Sequence, residues 1–405
     1  MAATRFSKMR RFLLILRNVQ VSQEIPEGRG DPREGRNADR GAGATMIEAL
    51  RETIAQHGAV WLAMGGLAIG CLFGAVVFAT NFCAMGSLSD IHNFGDWRRF
   101  RAWILAGATA LVGAQLLQAG GVVALDKSMY LAGASLNWAG HILGGLMFGF
   151  GMVFTGGCPS RNLARAGGGD LRSLLTLVVL GLFAYIALGG ILAPPRAALE
   201  QATSIPLEAR SLGDLLSKAA GLAPSTGNLL AMALLGTAAL AYCFADARFR
   251  ASAVHVASGL SVGLIVVAGW ALTGLAFDDM ATRPVPPISL TYVRPAGDAL
   301  QWLTLYTAAP IPGFGTASVF GALLGACAAS LAMGRFRFAT FSDTGDTLRT
   351  LGGAALMGIG GVMALGCTVG QGITGISTLA LGSFLTFGAI VAGGAYGLRV
   401  LERIA

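Results

Sequence analysis

The chain has 405 residues, of which 54% are hydrophobic and only 12% are charged, and its mean hydropathy is +0.64. Soluble globular proteins carry about 25% charged residues and disordered chains have low hydrophobicity, so both classes are excluded. The net charge of +8 does not indicate a nucleic-acid-binding protein, because the 29 lysines and arginines are dispersed. The 59 glycines are typical of membrane helices, whose backbones approach closely at small side chains. The composition predicts an all-α, polytopic membrane helix bundle.

Residues 1–50 differ in character from the rest of the chain. The stretch 21–44 is polar, rich in Gly, Arg and Glu, and has no helical period, which predicts a disordered tail. The apolar run 12–16 is too short for the core of a signal peptide. Met46 offers an alternative start, so the tail is assigned no function.

The remaining chain consists of apolar runs long enough to cross a bilayer, which takes about 20 residues in a helix. Short apolar, Gly-rich pieces around 81–97 and 299–311 predict re-entrant segments, whose irregular backbone is tolerated only inside protein or beside a cavity. Nine crossings are predicted, near 58–80, 102–124, 139–157, 172–193, 227–245, 253–275, 314–334, 351–366 and 376–398.

The basic residues give the orientation of these crossings. With a cytoplasmic C-terminus, the inside loops hold thirteen lysines and arginines and the outside loops hold six, as the positive-inside rule expects. The ten basic residues before the first crossing would then lie outside, against the same rule. This leaves the side of the N-terminus open.

An internal repeat divides the chain into related halves. The segment Gly149–Cys158 matches Gly358–Cys367 at a constant offset of 209. We expect a first transmembrane repeat at 58–193, a linker with one joining helix at 194–252 and a second repeat at 253–398. Because one extra helix joins them, the halves would be inverted, and transporters with inverted repeats bind their solute between the halves at the midplane.

Three cysteines lie in glycine-flanked segments where an apolar helix ends. Cys83 follows Asn81, whereas Cys158 and Cys367 directly follow Gly157 and Gly366. Glycine and proline interrupt helices, and the freed N–H groups together with a following helix N-terminus form an anion-binding concavity. A thiol adds a weak donor and a soft, polarizable sulphur.

The alternative for every cysteine is simple packing, since cysteine behaves as a small buried hydrophobe. Packing is favoured for the mid-helix residues Cys71, Cys243 and Cys327. Cys158 and Cys367 share one position in the repeat, which favours a binding site. The spacing leaves Cys83 undecided.

The polar neighbours of these cysteines also have two interpretations. Arg161 attracts anions or anchors the helix at the cytoplasmic interface. Asn162 and Gln371, which align in the repeat, donate hydrogen bonds to a ligand or satisfy carbonyls of the broken helices. Asp90, Asp96 and Asp170 are expected to cap helices.

Other sequence features argue against an enzyme. The six cysteines form no CxxC pair and the histidines show no ligand spacing, so neither a metal site nor a disulfide framework is predicted. P-loop, dinucleotide-binding and triad motifs are absent from the sequence, so primary ATP-driven transport by this chain alone is not expected. We therefore expect no cofactor.

The three cysteine segments resemble the YeeE/YedE sulphur-transport family of bacterial membrane proteins over most of residues 60–398. The motifs that carry the resemblance are Asn81-Phe-Cys-Ala-Met-Gly86 with Asp96-Trp-Arg-Arg-Phe-Arg-Ala-Trp103, Gly156-Gly-Cys-Pro-Ser-Arg-Asn-Leu-Ala-Arg-Ala-Gly-Gly-Gly-Asp170, and Gly366-Cys-Thr-Val-Gly-Gln-Gly372.

This resemblance implies thiosulfate uptake across the inner membrane through an hourglass-shaped, multi-pass fold. It also implies that Cys83, Cys158 and Cys367 relay the anion by hydrogen bonds. A separate small cytoplasmic sulphur-carrier protein of the TusA type is the implied partner. The N-terminal tail and the long linkers at 194–225 and 276–312 depart from shorter family members.

The hypothesis from sequence places Cys158 at the narrowest point, with Cys83 on one side and Cys367 on the other. Asn81, Gly157, Arg161, Asn162, Gly366 and Gln371 complete the predicted substrate site. Two alternatives stay open. One is a membrane sulphurtransferase that forms a cysteine persulfide, and the other is a transporter of another anion, such as sulfite or a selenium species.

Overall fold

The computed structural model describes residues 48, 51, 54, 57–133, 135–280, 284–341 and 343–404. Apart from Glu48, the predicted tail at 1–50 lies outside the described residues. Two short strands, β1 (Ser135–Asn137) and β2 (Ser204–Pro206), pair antiparallel, and Leu125–Lys127 and Gly370–Gly375 form a 3-10 and a π segment. The α-helices of the described part are α1 (Gly58–Thr80), α2 (Ala84–Phe94), α3 (Arg98–Ala119), α4 (Trp138–Phe154), α5 (Pro159–Gly167), α6 (Leu171–Leu188), α7 (Ala193–Thr203), α8 (Leu212–Ala220), α9 (Pro224–Ala245), α10 (Ala247–Arg250), α11 (Ala253–Leu275), α12 (Arg294–Thr304), α13 (Phe314–Ala332), α14 (Thr344–Met363) and α15 (Leu381–Ile404).

The described residues contain eight helical spans long and apolar enough to cross a membrane. Two of them join a long helix to a short one, α1 with α2 and α4 with α5, and the others are α3, α6, α9, α11, α13 and α15. Leu72, Leu264 and Leu324 are 58–60% exposed, as expected where large apolar side chains face lipid. The predicted all-α, polytopic bundle is confirmed.

The predicted crossing at 351–366 corresponds to α14 and differs from the other eight. Its first turns carry Asp346 and Arg349, so α14 is not among the apolar spans. Its apolar part, 350–363, extends about 21 Å at 1.5 Å per residue, which is short of the hydrocarbon thickness of about 30 Å. The apolar part of α14 is therefore too short to cross the layer, and the helix ends shortly before Cys367.

Glycines set the closest helix contact, between α1 and α13. A Cβ added to Gly66, Gly70 or Gly74 would lie 2.6, 2.3 or 2.0 Å from a backbone oxygen of α13. Gly321 and Gly325 approach α1 in return, at the Leu67 and Cys71 carbonyls. Spacing by four residues aligns the α1 glycines on one face, and small side chains there let the two backbones meet.

The other main contacts follow a paired pattern. Helix α3 packs against α11, α4 lies between α14 and α15, and α14 also contacts α6. Short helix α5 contacts α13, while the π segment at Gly370–Gly375 contacts α3. These contacts bring the ends of α1, α4 and α14 into one buried region, since Cys83, Cys158 and Cys367 belong to the same core cluster.

One re-entrant segment lies at a different place from that predicted. The predicted piece 81–97 is the break after α1 together with α2. The piece predicted at 299–311 is instead the end of α12 followed by an exposed turn. The buried irregular backbone lies earlier, at 288–293, where Leu290, Tyr292 and Val293 are at most 1% exposed. Prolines at 284, 286 and 287 keep this approach extended, because proline cannot donate to a helix.

Candidate functional site

All three cysteines of the predicted site follow the same backbone break. A residue with left-handed backbone precedes each by two positions: Asn81 (φ 56°), Gly156 (φ 68°) and Leu365 (φ 57°). This residue ends the apolar helix and turns the chain, and a short helix begins directly after each cysteine. Gly156 and Leu365 are separated by the repeat offset of 209, although leucine rarely adopts this conformation.

The break converts each cysteine into the first residue of a helix N-terminus. Gly86 N–H donates to Cys83 Sγ at 3.4 Å, and Gly370 N–H donates to Cys367 Sγ at 3.3 Å. Cys158 Sγ lies 3.1 Å from Ser160 Oγ. Since the sulphur atoms of Cys83 and Cys367 accept backbone hydrogens, their own S–H protons remain free to point away from the helix.

The three thiols are buried and form a series. Cys83, Cys158 and Cys367 are 5%, 1% and 0% exposed. The Cys158 thiol lies within interaction range of the Cys83 thiol and of the Cys367 thiol. Cys71 and Cys327 are only partly buried within α1 and α13, and Cys243 Sγ lies 3.3 Å from the Arg101 carbonyl on α3.

Asn162 and Gln371 occupy equivalent places beside the breaks. Asn162 Nδ2 donates to the Gly157 carbonyl at 2.9 Å, and Gln371 Nε2 donates to the Ala364 carbonyl at 2.6 Å. These bonds satisfy carbonyls that the interrupted helices leave without partners. The amide oxygens, Oδ1 and Oε1, are buried without a partner in the described residues.

Arg161 and the two glycines of the predicted site each contact another residue of the breaks. Arg161 donates to Asn81 Oδ1 at 2.7 Å and so ties the α1 break to the α5 helix. Its guanidinium lies within electrostatic range of Cys83. Gly157 faces Arg161 Cγ and Gly366 faces Gln371 Cγ, where an added Cβ would lie at 2.9 and 3.3 Å.

Residues outside the sequence prediction also surround the thiols. The Thr368, Tyr130 and Tyr292 hydroxyls are buried without a hydrogen-bond partner in the described residues. Thr368 Oγ1 is a neighbour of the Cys158 thiol. Thr368 could have been found from the sequence, because it directly follows Cys367 just as Pro159 directly follows Cys158. The tyrosines had no such signal, because both lie in loops far away in sequence.

A polar cleft of about 240 Å³ opens beside the Cys158 break. It is lined by Thr155 and Gly156, by the first turns of α6 and α14, and by Arg165, Arg172 and Arg349. Arg165 and Arg172 pair with Asp170 at 2.6 and 3.4 Å. Burial would raise the pKa of the Asp170 carboxyl, but the two arginines hold it below its ordinary value. Asp170 also caps α6, as expected, by accepting from the Arg172 and Ser173 N–H groups.

The described residues contain no group of three or more metal-ligating side chains. The region is instead a buried set of thiols, hydroxyls and helix N-termini, with cations at one end. Such donors bind an anion by weak hydrogen bonds, and weak binding permits release.

Comparisons with known proteins agree with this chemistry. The family model for sulphur transport matches residues 79–396. The chain is 27% identical over 334 residues to the thiosulfate transporter TsuA of Spirochaeta thermophila, covering 79% of this chain and 93% of the relative. It is 29% identical over 333 residues to the thiosulfate transporter TsuA of Escherichia coli strain K12, covering 76% and 86%.

Proposed function

We propose that this chain, which belongs to the sulphur-transport family, carries thiosulfate inward across the cytoplasmic membrane along its three buried thiols. Family membership gives the broader activity, transport of sulphur anions. The observation that carries the finer proposal is the series Cys83–Cys158–Cys367, in which the central thiol neighbours both others and each follows a left-handed break. Both relatives named above are thiosulfate transporters.

The anion passes from thiol to thiol without covalent change. Each S–H donates to the anion, while N–H groups at the starts of the short helices supply partial positive charge. A thiol is a weak donor, so the anion is held loosely at each station. A lysine or arginine at the centre would bind it too tightly to release it.

Two halves of inverted topology place these breaks opposite each other. Helix contacts occur in equivalent pairs, which supports the division into 58–193 and 253–398 with α9 as the joining helix. Helix α1 packs on α13 as α11 packs on α3, and α4 packs on α15 as α14 packs on α6. In each pair of contacts, every helix of the first half is replaced by its counterpart in the second half, as an internal repeat requires.

Arginines lie at one end of the thiol series and identify that end as cytoplasmic. Arg161 lies beside Cys83, and Arg165, Arg172 and Arg349 line the cleft near Gly156. Under the positive-inside rule this end is cytoplasmic. The anion therefore enters on the Cys367 side and leaves toward the arginines, where a small TusA-like sulphur carrier receives it.

Replacement of Cys158 tests the relay. Thiosulfate uptake into proteoliposomes should fall at least about tenfold in C158A, which loses the donor, and less in C158S, which keeps a hydroxyl donor. The control C327A changes a partly buried thiol away from the breaks. Unimpaired uptake by C158A would refute the relay. Competition with sulfite and selenium oxyanions in the same assay measures the anion selectivity of transport.

A persulfide-forming sulphurtransferase is the second candidate, and it is favoured by Arg161, which lies within electrostatic range of both Cys83 and Cys158. A thiolate needs such a cation. The thiolate of Cys83 or Cys158 would attack the outer sulphur of thiosulfate, breaking its S–S bond, releasing sulfite and leaving a cysteine persulfide. Mass spectrometry after exposure to thiosulfate decides between the two candidates. One added sulphur atom on Cys83 or Cys158 supports the transferase, and unmodified thiols during active uptake support the relay.

A further inference from the structure

Two tyrosines, the buried Tyr292 and the half-buried Tyr130, carry buried, unpartnered hydroxyls near the Cys367 end of the thiol series. Tyr292 is fully buried, and its ring stacks on Phe73 at 5.2 Å between centroids. The Tyr130 ring lies edge-on to Trp270 at 6.4 Å. Both hydroxyls lack a hydrogen-bond partner in the described residues, and both lie within electrostatic range of Cys367.

The segment that carries Tyr292 is fixed on both sides. Thr273 Oγ1 donates to the Ile288 carbonyl at 2.7 Å, Ser289 Oγ donates to Val266 O at 2.7 Å, and Thr374 Oγ1 donates to Leu290 O at 2.7 Å. The last bond joins the segment to the helix that follows Cys367. The Tyr292 backbone N–H also faces the Cys367 sulphur. The phenol is therefore held in place before any ligand arrives.

Packing alone does not explain these hydroxyls. A buried O–H without a partner destabilises the fold, whereas a phenylalanine would make the same ring contacts without that cost. Ser318 is a polar neighbour of the Tyr292 hydroxyl, but the two do not meet hydrogen-bond geometry, and Ser318 Oγ itself donates to the Gly315 carbonyl at 2.7 Å. Two free O–H donors within electrostatic range of one thiol suit an anion with several acceptor oxygens.

We infer that the Tyr130 and Tyr292 hydroxyls, with the Cys367 thiol, form an entry subsite for a small sulphur oxyanion. This inference rests on the proposed transport function. The phenol hydrogens bond the oxygen atoms of the anion, and the thiol contacts its softer sulphur. The subsite therefore selects anions that carry both kinds of atom.

The test uses Y292F, Y130F and the double variant in proteoliposomes with radiolabelled thiosulfate. Loss of one hydrogen bond to a charged group should raise KM about tenfold per tyrosine, while the thermal unfolding midpoint stays unchanged or rises. Y396F is the matched control, since Tyr396 is 62% exposed on α15. In detergent, thiosulfate should stabilise the purified wild type and stabilise Y292F less.

Each outcome decides between the two proposals. Wild-type KM and wild-type thermal stabilisation in Y292F and Y130F, with uptake abolished in C367A, would overturn the entry subsite and leave the relay intact. Wild-type uptake in C158A and C367A would overturn the relay itself. An S318A variant with the same raised KM as Y292F would assign the tyrosine to local packing with Ser318, and so would also overturn the subsite.

Discussion

Substitution of Gly70 by alanine tests whether the α1–α13 contact holds the site together. The added Cβ would lie 2.3 Å from the Ser318 carbonyl oxygen and 2.8 Å from Ser318 Cα. Both neighbours are backbone atoms of a helix, so the two helices must move apart by about 1 Å to restore van der Waals contact. Overpacking of this kind costs about 1–3 kcal/mol. The same movement shifts Phe73, which stacks on Tyr292.

We expect G70A to unfold at a lower temperature in detergent and to transport thiosulfate more slowly. The control is G388A in α15, where no atom lies within 4 Å of the added Cβ. Alanine is about 1 kcal/mol more favourable than glycine in a helix, so G388A should be neutral or stabilising. Melting temperature and initial uptake rate are measured on both variants. A G70A protein as stable as G388A would refute the close packing of α1 on α13.

Three further predictions concern the surroundings of the site. Because the arginines lower the pKa of Asp170, its carboxylate stabilises the fold above the unfolded pKa of about 4, and this stabilisation is lost as the pH falls. D170N should thus melt lower than wild type at pH 7 but approach it at pH 3.5, and a constant difference would contradict the pairing. C71A, C243A and C327A should transport thiosulfate at wild-type rates, since packing explains these thiols, and a large loss in any of them would add it to the path. N81G keeps the left-handed backbone but releases Arg161, so uptake should fall several-fold, whereas unchanged uptake would show that the Arg161–Asn81 bond is dispensable.

Composition and local pattern were sufficient to predict the membrane bundle and the positions of the breaks. Apolar runs of helical length identify crossings because lipid leaves the backbone no other partner. The Cys158 and Cys367 breaks were visible because glycine clusters interrupt both runs at one repeat offset. Leu365 shows the limit of this approach. No propensity predicts left-handed leucine, and it is the surrounding fold that imposes it.

Contacts between distant segments could not be predicted in the same way. Tyr130 and Tyr292 approach Cys367 from loops that look like ordinary linkers, and only tertiary packing places them there. The re-entrant piece expected at 299–311 lies instead at 288–293, because the prolines before it and the bonds to Val266 and Thr374 matter more than local apolarity. The sequence likewise did not show that the apolar part of α14 is short, because the charged residues in its first turns resemble a loop.

Protection of the thiols by the transported anion tests the central claim most directly. In a C71A/C243A/C327A background, a small membrane-permeant alkylating reagent is applied with and without thiosulfate, and mass spectrometry gives the alkylation rate of each remaining cysteine. Thiosulfate near its transport KM should slow alkylation of Cys83, Cys158 and Cys367 about twofold, and saturating thiosulfate should slow it further. Alkylation rates that do not change at a saturating concentration would contradict a path along these thiols.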